Sequence, residues 1–240
     1  MGGMELPADH AVLFDLDGVL TPTARIHMLA WERLFTEVLL AHGDQSGYGD
    51  EDYFAHVDGK PRYDGVRDML ASRGIDVPQG DPSDPPQAET VCGYGNRKNA
   101  LFTEILHREG IDPYPGSAHL VADLRAAGTP IAVVSSSRNA RDVLEAAGMA
   151  PDFPVVVDGL VATREGLAGK PAPDTFLHAA VLLGRPADRC VVVEDAVSGV
   201  AAGRAGNFGL VVGVDRGTRS ERLREAGADV VVNDLEELRR

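Results

Sequence analysis

Ala11-Val12-Leu13-Phe14 is a short apolar run stopped by Asp15-Leu16-Asp17-Gly18, the pattern of a buried strand whose end turns sharply into a loop. After Thr21-Pro22-Thr23 the period changes. Ile26, Leu29, Ala30, Leu34 and Val38 recur at three- and four-residue steps up to Gly43, which predicts an amphipathic helix. Residues 44–66 are polar and Gly-rich, with turn signals around Gly47 and Gly59. Further helices are predicted over about 64–73 and about 96–109. Between them, Asp76 to Gly95 holds Pro78, Pro82, Pro85 and Pro86 and reads as a long surface loop.

From Tyr114-Pro115-Gly116 onward, apolar runs alternate with helical patterns. A helix ending near Gly128 precedes Ile131-Ala132-Val133-Val134, and another ending near Gly148 precedes Val155-Val156-Val157. A helix from about Pro173 to Leu183 leads to Cys190-Val191-Val192-Val193, and a helix through Val200-Ala201-Ala202 to Leu210-Val211-Val212 and finally Val230-Val231-Val232. Continuous Val/Ile runs between amphipathic helices are what a parallel sheet covered on both faces demands. The first strand needs that same sheet to bury its apolar run. The expected fold is therefore α/β: a Rossmann-like parallel-sheet core, residues 1–21 and 113–240, with a small α-helical domain inserted over residues 22–112. Crossings near Thr21-Pro22-Thr23 and Asp112-Pro113-Tyr114 would join the two.

Composition removes several classes of function. With 23 Lys and Arg against 37 Asp and Glu, the formal charge is −14, so nucleic acid and anionic membrane are disfavoured partners. Two cysteines, Cys92 and Cys190, suggest neither a disulfide framework nor a zinc site. The opening residues Met1 to Pro7 lack a signal-peptide pattern, and no apolar run approaches the ~20 residues that span a bilayer. The expectation is a cytoplasmic protein with no membrane partner.

In an open parallel sheet, ligands bind beyond the carboxyl ends of the strands. The residues following the apolar runs there are Asp15 and Asp17; Ser135, Ser136 and Ser137; Asp158; and Glu194 with Asp195. Lys170 stands in the loop Gly169-Lys170-Pro171-Ala172-Pro173-Asp174. Each alone is an ordinary turn, cap or solvated residue; together they bring several acids, hydroxyls and one lysine to a single rim. Carboxylates so gathered repel one another, and a hard cation such as Mg²⁺ relieves this by taking carboxylate oxygens plus a substrate phosphate. Asp15, Asp195 and Glu194, with a backbone carbonyl near Asp17, would form such a site. Lys170 and Ser135 would cover the phosphate. Asp15 could then attack phosphorus, giving an aspartyl-phosphate, and Asp17 could protonate the leaving oxygen and deprotonate the acceptor.

These residues resemble the four ordered signatures of the haloacid dehalogenase (HAD) superfamily: Asp15-Leu16-Asp17-Gly18-Val19, Ser135, Lys170 and Glu194-Asp195. The helical insertion resembles that superfamily's small cap domain. Asp17 places the likeness with the phosphatase and mutase branches. Within them the chain resembles the β-phosphoglucomutase-like subfamily, through Thr23, His27 and Trp31, Gly59-Lys60-Pro61-Arg62, Arg97-Lys98-Asn99 and Ser135-Ser136-Ser137-Arg138-Asn139. The resemblance implies substrate or phosphate binding by Thr23, His27, Arg62, Lys98, Ser135, Ser136, Ser137, Arg138 and Asn139, and metal binding by Asp15, Asp17, Glu194 and Asp195. Arg62 and Arg138, with Ser137 and Asn139, offer donors suited to a second phosphate. The implied reaction is Mg²⁺-dependent interconversion of β-glucose 1-phosphate and glucose 6-phosphate, with a sugar bisphosphate as activator. A phosphatase acting on a small sugar phosphate would need the same core residues and stays an alternative, as does a non-catalytic phosphosugar-binding module. Oligomeric state is not legible.

Overall fold

A computed structural model describes residues 6–57, 60, 62–217 and 220–239. Gly59 and Pro61 of the Gly59-Lys60-Pro61-Arg62 segment lie outside the described residues. The chain forms two compact units, Met1–Thr23 with Ile111–Arg240, and Ala24–Gly110. The seams fall two residues inside the expected ones at each crossing.

The first unit is built on six strands, β1 (Ala11–Phe14), β2 (Ile131–Val134), β3 (Val155–Val157), β4 (Cys190–Glu194), β5 (Leu210–Val214) and β6 (Val230–Val232). All pair in parallel, in the order β3-β2-β1-β4-β5-β6. The first strand in sequence is thus central, with Phe14 opposite Val133 on one side and Val193 on the other. Alternate residues face opposite ways along a strand. Leu13, Ala132, Val134, Val192 and Val211 pack in one cluster with Phe176, Val200 and Leu223. Their neighbours Val12, Phe14, Val133, Val191 and Val193 are buried as well. Burial on both faces explains why these strands read as unbroken apolar runs.

The second unit is helical: α1 (Ala24–Ala41), α2 (Asp50–Asp52) continuing as a π-helical turn through Tyr53–Val57, α3 (Arg62–Ser72) and α4 (Val91–Glu109). Trp31, Leu34, Phe35, Val38 and Leu39 of α1 pack with Val66, Met69 and Leu70 of α3 and Val91 and Tyr94 of α4. Two local expectations are corrected here. Residues 50–57 are helical, in a stretch read as turns, because Val57 joins this core and Asp50, Glu51 and Asp52 suit a helix's first turn. The loop from Asp76 ends early: α4 starts at Val91, where the Thr90 hydroxyl accepts from Gly93 N at 2.9 Å. Gly93 and Gly95 had masked that start.

The core helices are α5 (Pro115–Ala126), α6 (Ala140–Ala146), α7 (Gly159–Glu165), α8 (Asp174–Leu182), α9 (Val197–Ala205) and α10 (Ser220–Glu225). Helices α7 and α10 are too short to show a period in sequence. Cys92 and Cys190 are free and buried. Among the described residues no helix is long and apolar enough to cross a membrane.

Candidate active site

Strand order 3-2-1-4-5-6 reverses direction of winding beside β1, so the crevice lies at the carboxyl ends of β1 and β4. The backbone of Asp15 extends the ladder by one rung, its N–H donating to Val193 O at 2.9 Å. Its carboxylate receives a bond from Lys170 Nζ at 2.5 Å. Lys170 Nζ also donates to Glu194 Oε1 at 2.5 Å and Val134 O at 3.0 Å, and stands 4.8 Å from the Phe176 ring centroid. All three ammonium hydrogens are thereby placed. Glu194 is held in turn by Ala196 N, which donates to Oε2 at 3.0 Å. A Cβ on Gly199 would fall 1.7 Å from Glu194 Oε1, so the α9 backbone can lie against this carboxylate only as glycine.

Burial tends to strip Lys170 of its proton, but Asp15 and Glu194 outweigh that and raise its pKa. Burial pushes the Asp15 carboxyl well above the ordinary carboxylate range; Lys170 opposes this, while Glu194, Asp17 and Asp195 add to it. One lysine does not balance four acids. Oxygens of Asp15, Glu194 and Asp195 lie within 4.8 Å of one another. An all-carboxylate donor set with excess negative charge suits a hard divalent cation bound by oxygen.

Asp17 sits in a tight turn. Gly18 N donates to Thr21 O at 2.8 Å, and Leu20 N and Thr21 N to Leu16 O at 2.9 and 3.0 Å. Gly18 has φ +85°, and a Cβ there would lie 2.2 Å from Asp195 Oδ2. Both the turn and the approach of Asp195 therefore require glycine. The Asp17 carboxylate accepts from the Thr23 hydroxyl at Oδ1 and from Ser135 Oγ at Oδ2, the latter at 3.3 Å.

The rim thus brings together Asp15, Asp17, Thr23, Ser135, Lys170, Glu194 and Asp195. Ser137 N donates to Ser135 Oγ at 3.0 Å and Asn139 N to Ser137 Oγ at 3.1 Å, so these residues shape the loop beyond β2; Ser136 and Arg138 are exposed on it. Asp158 instead caps α7, accepting from Leu160 N and Val161 N at 3.0 and 2.8 Å. His27, Lys98 and Arg62 gather within the helical unit. Lys98 Nζ donates to His27 Nδ1 at 2.5 Å, the His27 ring stacks on Phe102, and Arg62 bonds Asn99 Oδ1 at 2.9 Å. Burial, then Lys98 and Arg62, hold His27 well below its usual pKa. Arg216, just past β5, was not singled out by the sequence. The signal was available, since it too follows an apolar strand.

A doubly wound parallel sheet with this carboxylate and lysine rim, interrupted after its first strand by a helical cap, is the HAD-like architecture. Residues 10–207 match the family model of haloacid dehalogenase-like hydrolases. The chain belongs to that family, in its β-phosphoglucomutase-like branch. It is 50% identical to β-phosphoglucomutase of Mycobacterium tuberculosis, over 95% of this chain and 90% of that protein. It is 31% identical to hexitol phosphatase A of Escherichia coli, over 94% of this chain and 91% of that one. A crystal structure of β-phosphoglucomutase from Clostridium difficile matches with a TM-score of 0.73 and 26% identity, covering 96% of this chain and 93% of that one.

Proposed function

We propose that this protein moves a phosphoryl group through Asp15 and interconverts β-glucose 1-phosphate and glucose 6-phosphate. The observation that carries the chemistry is the Asp15 carboxylate held against Lys170 beside Asp17, a second carboxyl group secured by two hydroxyls. An oxygen of Asp15 bonds phosphorus while the bond from phosphorus to the sugar oxygen breaks. Asp17 gives its proton to that oxygen, then takes one from the acceptor hydroxyl as the aspartyl-phosphate is cleaved. Lys170 stays protonated and offsets charge on the transferring group. Ser135, at the start of the loop beyond β2, suits a remaining phosphate oxygen. Asp15, Asp195 and Glu194, with a backbone carbonyl near Asp17, would hold Mg²⁺, which supplies charge neutralisation at the phosphate when bound.

In the cap, His27, Lys98 and Arg62 form a cationic and hydrogen-bonding group suited to a phosphosugar. Identity of 50% with a β-phosphoglucomutase supports the mutase reading. Similarity to a hexitol phosphatase favours a second one, in which water takes the phosphate from Asp15. Incubation with Mg²⁺, β-glucose 1-phosphate and a trace of glucose 1,6-bisphosphate separates them by phosphorus NMR. Glucose 6-phosphate is the expected product; inorganic phosphate without the isomer would establish the phosphatase instead.

A further inference from the structure

Past the end of β5 the chain turns at Asp215-Arg216-Gly217, on the same rim as Asp15 and Glu194, and Arg216 reaches back to the turn that carries Asp17. The N–H groups of Gly18, Leu20 and Thr21 are satisfied within that turn. Three successive carbonyls are met from outside it. Gly18 O accepts from Arg216 Nε at 3.0 Å, Val19 O from Ser117 Oγ at 2.7 Å and from Arg216 Nη2 at 3.3 Å, and Leu20 O from Tyr114 N at 2.9 Å. Val19 and Leu20 are wholly buried, so protein donors must take the place of water here.

Arg216 is itself fixed on its other edge. Nη1 donates to Asp234 Oδ2 at 2.9 Å and to Asn233 O at 3.3 Å, and the guanidinium lies 3.7 Å from the Tyr114 ring centroid. Lysine cannot reproduce a planar fork that spans two adjacent carbonyls, a carboxylate and an aromatic face. Gly18 is therefore held at its carbonyl by Arg216, while the Asp195 carboxylate fills the space that a side chain there would need. Its position fixes the preceding peptide, and with it the direction in which Asp17 leaves the backbone toward Thr23 and Ser135.

The geometry points to Arg216 as a positioning residue for Asp17, holding the turn at the height from which the Asp17 carboxyl meets the reacting oxygen. This rests on the reading of Asp17 as general acid and base. Such a role has a signature that loss of fold does not share. An alkoxide leaving group needs protonation, whereas p-nitrophenolate departs without it, so displacing the acid slows transfer from a sugar phosphate far more than transfer from p-nitrophenyl phosphate.

The test is the rate of Asp15 phosphorylation by glucose 6-phosphate and by p-nitrophenyl phosphate, measured by rapid quench in wild type, R216A, R216K, D17N and R216A/D17N, with Mg²⁺ present. R216A is expected to slow transfer from glucose 6-phosphate by about 10- to 100-fold and from p-nitrophenyl phosphate by less than about 3-fold. D17N should show the same pattern more strongly, and the double variant should discriminate no further. Should R216A not fold, judged by circular dichroism, R216K carries the same test with the charge retained. Equal slowing with both substrates in a folded Arg216 variant, beside a leaving-group effect in D17N, would overturn the role of Arg216 alone. Absence of the effect in D17N itself would overturn the acid–base reading, and the role of Arg216 with it.

Discussion

Lys170 Nζ lies 2.5 Å from Asp15 Oδ1, a bond between residues 155 apart in sequence. Neither side chain is more than a tenth exposed. Replacing Lys170 by Met would leave Asp15 and Glu194 buried side by side with no cation. Breaking a buried pair on one side typically costs about 3–5 kcal/mol, and loss of a charge aimed at the transferring phosphoryl group about 100- to 1,000-fold in rate. Urea denaturation without divalent cations and rapid-quench measurement of Asp15 phosphorylation should show both losses. An unchanged denaturation midpoint would mean that this ion pair contributes nothing to the fold.

Gly18→Ala should damage activity more than stability. The left-handed backbone at φ +85° costs an L-residue about 1–2 kcal/mol, a melting shift of a few degrees. The new methyl group would also displace the Asp195 carboxylate, and misplacement by about 1 Å can cost 100-fold in rate. A variant with a lowered melting temperature but wild-type kcat would show that Asp195 has room to retreat.

Mg²⁺ should raise the melting temperature, because oxygens of Asp15, Glu194 and Asp195 converge within 4.8 Å. At tenfold over its Kd, a ligand bound only by the native state adds about 1.4 kcal/mol. Asp195→Asn should lose most of that increment. Asp158→Ala is the control: it removes the α7 cap, at a cost of about 1 kcal/mol, yet should keep the full response to Mg²⁺. Equal responses in wild type and Asp195→Asn would remove Asp195 from the cation site.

The cap should weaken in acid through His27. Its folded pKa lies well below the reference value of 6.5, through burial, Lys98 and Arg62. The unfolded chain therefore takes up the proton first as pH falls. Stability from this source is complete above pH 6.5, declines below it with a slope of at most about 1.4 kcal/mol per pH unit, and levels off only under the folded pKa. Trp31, the single tryptophan, belongs to the cap core and reports its unfolding by fluorescence. His27→Gln, which leaves an acceptor for Lys98, should flatten the decline; an unchanged pH profile would assign it to other groups.

The strand runs were legible because both faces of the parallel sheet are buried, which writes each strand as consecutive apolar residues. Acids after those runs were legible as a rim for the same reason. Helix α7 and the true start of α4 were not, since short helices and glycine-bearing first turns carry no period. Asp158 reads as a rim acid in sequence, but its Oδ1 accepts from two N–H groups of α7 and its Oδ2 faces Arg141. Arg216 is legible as a residue just past an apolar run, but its hold on Gly18 and Val19 is not, because those partners are backbone carbonyls nearly two hundred residues away, and a carbonyl has no residue identity to read.

What the sequence determined by itself was local: the apolar runs that become the six strands, the long periodic helices, and that Asp15, Asp17, Glu194 and Asp195 come directly after two of those runs. Only the tertiary structure decided that β1 lies between β2 and β4, that Lys170 serves Asp15 and Glu194 together, and that Arg216 holds the Gly18 carbonyl. The physical reason is one of range. Periodicity and turn chemistry act over a few residues, whereas hydrogen bonds and charge interactions act over a few ångströms, and the packed sheet brings distant residues within that reach.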